Sequence, residues 1–226
     1  MTGLEKDEVI TITRDPSGKM LSVGLHDIER KSGRENFDFY CFLIWPFIES
    51  TWLGAVSLMG LTPPLGQKSD KWLTLTRTQD AAQLLGKTLY HQGDLSYFEA
   101  VNKETLKNAF QLFEEEGIVI VSKSRDKRIP STVKLAQSWT PRRDHISGDI
   151  IPEGKLWTFI ENIAQSRREG KNRRDGATVS TRVLVLADKV GRQLFDSAAA
   201  PVDVALKEGQ NPKKRRRKEI RTGPRL

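Results

Sequence analysis

The sequence is poor in the residues that chemistry is usually built from. It has one cysteine and three histidines. A single Cys41 excludes a disulfide within the chain and fits a reducing compartment. Set inside an apolar run, it reads as a small buried hydrophobe. No Gly-rich phosphate loop, no Cys/His metal spacing and no Gly-x-Ser-x-Gly elbow is present. His26, His91 and His145 lie far apart and read as surface or loop residues. The adjacent acids Asp7-Glu8 and Glu114-Glu115 read as solvated. Catalytic, cofactor-binding and metal-ligating residues are therefore all expected to be none. The acidic start, MTGLEKDEV, lacks an apolar leader core, so secretion is not expected.

Net basic charge is concentrated in one place. The formal net charge is +8, but residues Lys207–Leu226 hold nine Lys or Arg against two acids. The body, residues 1–206, is left close to neutral. A basic face built into the fold is not required, which argues against nucleic acid as a partner of the body.

What is abundant is apolar length. Phe39–Leu61 (FYCFLIWPFIESTWLGAVSLMGL) is the longest apolar run, interrupted by Pro46 and by the charge of Glu49. It approaches the roughly 20 residues that cross a bilayer. Yet a proline and an acid near its middle oppose a simple spanning helix. Two readings stand: a core helix kinked at Pro46, or a segment that meets a membrane or large partner. In the second, Phe42, Leu43, Trp45, Phe47 and Trp52 are the contact residues.

Around this run the pattern is mostly helical. Val9–Thr13 alternates like a strand, Asp15–Gly18 is a turn signal, and Lys19–Val23 returns as a hairpin partner. Asp38 stands where an N-cap would start the apolar helix. Thr78–Gln92 reads as a helix stopped by Gly93. Asn102 caps a second helix, with Leu106, Ala109, Phe110 and Phe113 on its buried face and Gly117 at its end. Ile118–Val121 and Thr132–Ala136 form a second hairpin. Leu156, Phe159, Ile160 and Ile163 mark another amphipathic helix, and Arg167–Asp175 a charged linker. Val179, Val183, Leu186, Val190 and Leu194 stripe a last long helix. The fold class is mainly α (α+β): a helical region with two small β-hairpins and a disordered basic tail. The units are 1–38 (hairpin and link, ending a larger upstream domain), 39–139 (apolar helix plus helix-pair and hairpin), 140–200 (C-terminal helices) and 201–226 (tail).

Helix, link, helix and two strands over Thr78–Ala136 is the order of a winged helix, which would send Asn102–Glu116 into DNA. Its exposed acids, Glu104 and Glu114–Glu116, oppose this. The run Lys213, Lys214, Arg215, Arg216, Arg217 and Lys218 has three readings: anionic-lipid patch, nuclear-import signal or solvated tail. The apolar run favours lipid. Pro224-Arg225-Leu226 departs from the Ser-Lys-Leu peroxisomal address at its first position.

Two stretches, Cys41–Leu58 and Ala82–Val119, resemble the C-terminal region of the eukaryotic glycerol-3-phosphate and dihydroxyacetone-phosphate acyltransferases. Pro46, Phe47, Glu49 and Trp52 carry the first part. Lys87, Leu89, Glu99, Ala100, Lys107, Asn108, Ala109, Phe113 and Gly117 carry the second. The likeness runs over about Val9–Ser122, and loosely to Trp139. That family's catalytic motif is His-x-x-x-x-Asp, in which the His is general base for the acceptor hydroxyl. Five residues beyond His26, His91 and His145 stand Lys31, Ser96 and Ile150, so no catalytic residue is carried over. Ile151-Pro152-Glu153-Gly154 only echoes the family's phosphate-site motif, in the wrong order.

The resemblance implies a non-catalytic C-terminal portion of an acyl-CoA:glycerol-3-phosphate (or dihydroxyacetone-phosphate) O-acyltransferase of phospholipid biosynthesis, inactive alone. Its expected partners are an upstream catalytic domain, where acyl-CoA and acceptor bind, and a membrane surface. The endoplasmic reticulum, mitochondrial outer membrane and peroxisome are the compartments this implies. The alternative is a nuclear or nucleic-acid-binding helical protein with a winged-helix-like unit.

Overall fold

The computed structural model describes residues 3–32, 37–67, 71–123, 128–167 and 176–199. The expected tail, with Lys213–Lys218 and Pro224-Arg225-Leu226, lies outside them, as does the linker beyond Arg167. A short α1 (Gly3–Lys6) precedes the hairpin of β1 (Ile10–Arg14) and β2 (Met20–Leu25). Then come α2 (Asp27–Ser32), the long α3 (Phe37–Met59), β3 (Leu73–Thr74) and α4 (Leu75–His91). A helix α5 (Lys103–Glu115) is followed by β4 (Val119–Ser122), β5 (Thr132–Leu135), α6 (Lys155–Gln165) and α7 (Gly176–Ala199). The mainly helical class with two small antiparallel sheets is as expected.

Helix α3 organises the rest. A helix that is apolar on every side has no solvent face to offer, so other elements must surround it. Helices α4, α5, α6 and α7 all pack on it. Its second half supplies Leu53, Ala55, Val56, Leu58 and Met59 to the core, each almost fully buried. By length and composition Cys41–Met59 could cross a membrane. Packing decides otherwise for the second half, whose sides are taken by protein. The first half differs: Phe42, Leu43, Ile44 and Phe47 are each about half exposed. The helix starts at Phe37, so Asp38 lies inside its first turn and is not the cap.

The expected second hairpin gains a third strand. β5 is central, with β3 and β4 antiparallel on either side. With α4 and α5 between β3 and β4, this completes the winged-helix order read from the sequence. Helix α4 begins at Leu75, three residues before the predicted start, because β3 runs straight into it. Gly93 and Gly117 follow their helices at φ +80° and +66°, as stop signals should.

Asn102 caps α5: its side chain accepts from the Glu104 N–H at 2.9 Å. Asn102→Ala should cost about 1 kcal/mol, the usual value of such a cap. Urea denaturation would read it, and an unchanged midpoint would mean that the cap is replaced by water.

Helix α7 is turned slightly from the predicted stripe. Val183, Leu184, Ala187, Gly191 and Phe195 face inward, while Leu186, Val190 and Leu194 are only partly buried. The reason is Gly191, where α7 crosses the end of α3 at Gly60 so closely that a side chain on either would strike backbone of the other.

Candidate functional site

The acid at the centre of the apolar run explains itself once its partners are seen. Glu49 is 1% exposed. A carboxylate taken out of water needs donors to replace its hydration. Its oxygens accept from the Ser96 N–H at 2.9 and 3.1 Å and from the Tyr97 N–H at 2.9 Å. The Arg167 guanidinium stands 3.3 Å away. That guanidinium lies 3.8 Å above the Trp52 ring and also donates to the Asp94 carbonyl. Burial pushes the Arg167 pKa down, while Glu49 and Asp94 pull the other way. The Asp94 carboxylate is bound at 2.6 and 2.7 Å by Arg182 of α7. One buried cluster thus ties α3, the 94–97 link, the end of α6 and α7.

This arrangement is an anchor rather than a reaction centre. Both Glu49 oxygens are engaged by donors, which leaves the group poorly placed to take a proton from a substrate. Arg167, read as the start of a charged linker, is the partner that sequence reasoning missed. The available signal was Glu49 itself, since a buried acid in an apolar run requires a cation somewhere.

A second cluster closes the C-terminal end of α3. Arg143 is 7% exposed and donates to the carbonyls of Pro63, Thr62 and Gly148, each at 2.8 Å, and to Asp188 at 2.6 Å. Arg192 binds the other Asp188 oxygen at 2.9 Å. Burial opposes ionisation of Asp188, but hydrogen bonds and charge from Arg143 and Arg192 outweigh it and hold its carboxyl below the usual range. A carboxyl whose folded pKa is depressed adds stability above its unfolded value, near 3.9, and that stability is lost as pH falls through the lower folded value. Asp188→Asn should therefore lower stability at neutral pH and make the acid limb below about pH 4 shallower. Parallel acid limbs in the two proteins would show that Asp188 does not drive it.

The histidines are not assembled. The His26 ring accepts from the Ile28 N–H at 3.4 Å, and His91 lies edge-on to Tyr90. Among the described residues no group of three His, Cys, Asp or Glu could hold a metal.

Two apolar surfaces remain open. The hairpin pairs Ile10 with Leu25 and Ile12 with Val23, so these four share one face. Thr11, Thr13, Ser22 and Gly24 occupy the other. Strand β2 is exposed along its whole length, with Val23 54% and Leu21 64% exposed. The second surface is the first half of α3. Phe42, Leu43 and Phe47 point outward there, and Trp45 is half-buried. Trp52, expected with them, instead faces inward beneath Arg167. Phe42 meets Tyr97 edge-to-face at 5.6 Å, which ties this end to the link held by Glu49.

The family model for the glycerol-3-phosphate acyltransferase C-terminal region matches residues 1–122. No curated protein and no solved structure matches the chain. The matched span holds the hairpin, α3 and Glu49, but not Arg167, Arg182 or the last two helices.

Proposed function

From the premise that the chain belongs to the glycerol-3-phosphate acyltransferase C-terminal-region family, we propose that it is the non-catalytic docking portion of a glycerolipid-synthesising acyltransferase. The hairpin face and the first half of α3 pack on the catalytic domain, where acyl-CoA and the phosphorylated acceptor bind. The observation that carries this is the apolar hairpin face of Ile10, Ile12, Val23 and Leu25, half-buried along β1 and exposed along β2. A two-stranded hairpin is marginal in water by itself and needs something to cover it. Exposed apolar patches of this kind mark association surfaces.

The same reading gives a membrane surface a part. Phe42, Leu43 and Phe47 beside Trp45 are the side chains that settle into a bilayer interface. Lys213–Lys218 adds electrostatic attraction to anionic lipid. Nucleic acid is disfavoured by the outward face of α5. Lys103 and Lys107 are spent on neighbouring acids, Asp80 of α4 and Glu104 of α5, both at 2.6 Å.

The test is to express the 226-residue chain alongside the separate catalytic region of a family acyltransferase and isolate the complex. Val23→Asp should lower recovery of that complex at least tenfold. Phe42→Asp together with Phe47→Asp should lower either this recovery or binding to anionic vesicles. The chain alone should not transfer an acyl group from acyl-CoA to glycerol 3-phosphate. Activity in the isolated chain, or a complex indifferent to Val23→Asp, would overturn the reading.

A further inference from the structure

The backbone of the hairpin carries information that its side chains do not. Opposite residues of an antiparallel pair alternate between two kinds: those that exchange hydrogen bonds, and those whose N–H and C=O groups point away from each other. The two ends of this hairpin set the alternation. The His26 N–H donates to the Val9 carbonyl at 3.1 Å, and the Asp15 N–H to the Lys19 carbonyl at 2.9 Å. Thr11 with Gly24 and Thr13 with Ser22 are therefore the bonded pairs. Ile10 with Leu25 and Ile12 with Val23 are the others. The N–H and C=O groups of Val23 and Leu25 thus point to the outer side of β2.

The two outer sides of the hairpin differ. Helix α1 guards β1: the Val9 N–H donates to the Leu4 carbonyl at 3.0 Å, and Arg14 pairs with Glu5 at 3.0 Å. Among the described residues the sheet stops at β2, which has no strand on its other side. A bare strand edge is a template for another strand, and proteins usually blunt it with charge, proline, a bulge or a covering element. Strand β2 (MLSVGL) holds neither a charge nor a proline. The one register shift falls at the turn, between Thr13 and Arg14, and leaves Val23 and Leu25 in regular pairing. Val23 and Leu25 extend the apolar face, and Ser22 and Gly24 the polar one. Such an edge takes an extended segment whose residues alternate apolar and polar. Three strands with one apolar face also make the stable sheet that two do not.

The source of the third strand follows from the docking reading, on which this inference rests. The family match, residues 1–122, opens with this hairpin. In a whole family protein the hairpin is therefore the first sheet of the C-terminal region to follow whatever precedes that region. Covalent connection raises the effective concentration of the preceding part to the millimolar order. A second copy of the chain has no such advantage.

We propose that β2 receives a strand of the catalytic domain along its free edge, which makes the hairpin part of a sheet shared between the two. The N–H groups of Val23 and Leu25 donate to the added strand, and their carbonyls accept from it. The apolar residues of that strand continue the face of Ile10, Ile12, Val23 and Leu25.

The experiment follows amide hydrogen exchange by NMR, residue by residue, in the full 226-residue chain with and without the separate catalytic region of a family acyltransferase. In the chain alone, the Val23 and Leu25 amides should exchange freely while those of Ser22 and Gly24 are protected. In the complex, exchange at Val23 and Leu25 should slow at least tenfold. Val23→Pro gives a second reading, because it keeps an apolar side chain and removes an N–H that the hairpin itself does not use. It should weaken the complex at least tenfold and leave the Gly24 amide protected. A complex that forms while Val23 and Leu25 still exchange freely would overturn strand addition and leave the docking reading standing. So would a complex indifferent to Val23→Pro. Protection of the two amides in the chain alone, rising with its concentration, would make a second copy the occupant and overturn the proposal. Failure of any complex to form would remove the docking reading and this inference with it.

Discussion

Gly191→Ala is expected to cost about 3 kcal/mol or more and to lower the melting temperature by roughly 6–12 °C. The cause is a backbone crossing. A Cβ on Gly191 would lie 2.5 Å from both the carbonyl carbon and the Cα of Gly60, and closer still to its oxygen. From the other side, a Cβ on Gly60 would reach the Ala187 carbonyl at 2.5 Å. These are backbone atoms that no rotamer change can move. Relief requires α3 and α7 to separate, which strips contacts from Leu58, Met59, Ala187 and Phe195, all buried. Overpacking usually costs about 1–3 kcal/mol, and a clash with backbone belongs at the upper end. Gly24→Ala is the control, since nothing lies within 4 Å of its added carbon. Chemical denaturation of the three proteins decides the matter. A Gly191→Ala loss below about 1 kcal/mol would mean that the helices do not meet at this point.

Glu49→Gln is expected to cost nearly as much, on the order of 3 kcal/mol. The substitution keeps shape and volume but turns one acceptor into a donor. Every group facing Glu49 is a donor already: two backbone N–H groups and the Arg167 guanidinium. The new amide must set one N–H against another, and Arg167 loses its counter-charge while still buried. Arg167→Met retains an apolar stem over Trp52 and removes the orphaned cation. The two changes together should cost clearly less than the sum of the singles, because each single leaves a partner stranded. Strict additivity in the double-mutant cycle would sink the view of Glu49 and Arg167 as one anchor.

Local structure was largely legible from residue pattern. The hairpin at 10–25 follows from alternation around Asp15 and Gly18, and α5 follows from Asn102 and the spacing of its apolar residues. Periodicity carries these because neighbours in sequence are neighbours in space. The anchor was only half legible. Glu49 stood out as an acid in an apolar run, but its cation lies 118 residues away in a segment of like charges. Nothing in the RREGKNRRD string distinguishes Arg167 from its neighbours, since burial is decided by where α6 ends against α3. The phase of α7 was missed for a related reason. Counting apolar residues gives Gly191 no weight, whereas its missing side chain is what lets the helix approach. The open hairpin face was visible as apolar residues, but not as a surface left uncovered.

The closing contacts of α3 also set a clock. Glu49 waits for Arg167, and Gly60 waits for Gly191, so the most apolar stretch is synthesised long before the helices that enclose it. At about 5–20 residues per second, the roughly 130 residues between Gly60 and Gly191 take some 7–26 s to emerge. For that interval a nascent chain presents LGAVSLM without its cover, the condition in which apolar segments aggregate or are held by chaperones. Contacts this distant in sequence also slow the final closure, because the intervening loop must be ordered before they form. Translation rate and chaperone supply should therefore govern the yield of this protein more than they govern that of a helical protein built from local pairs.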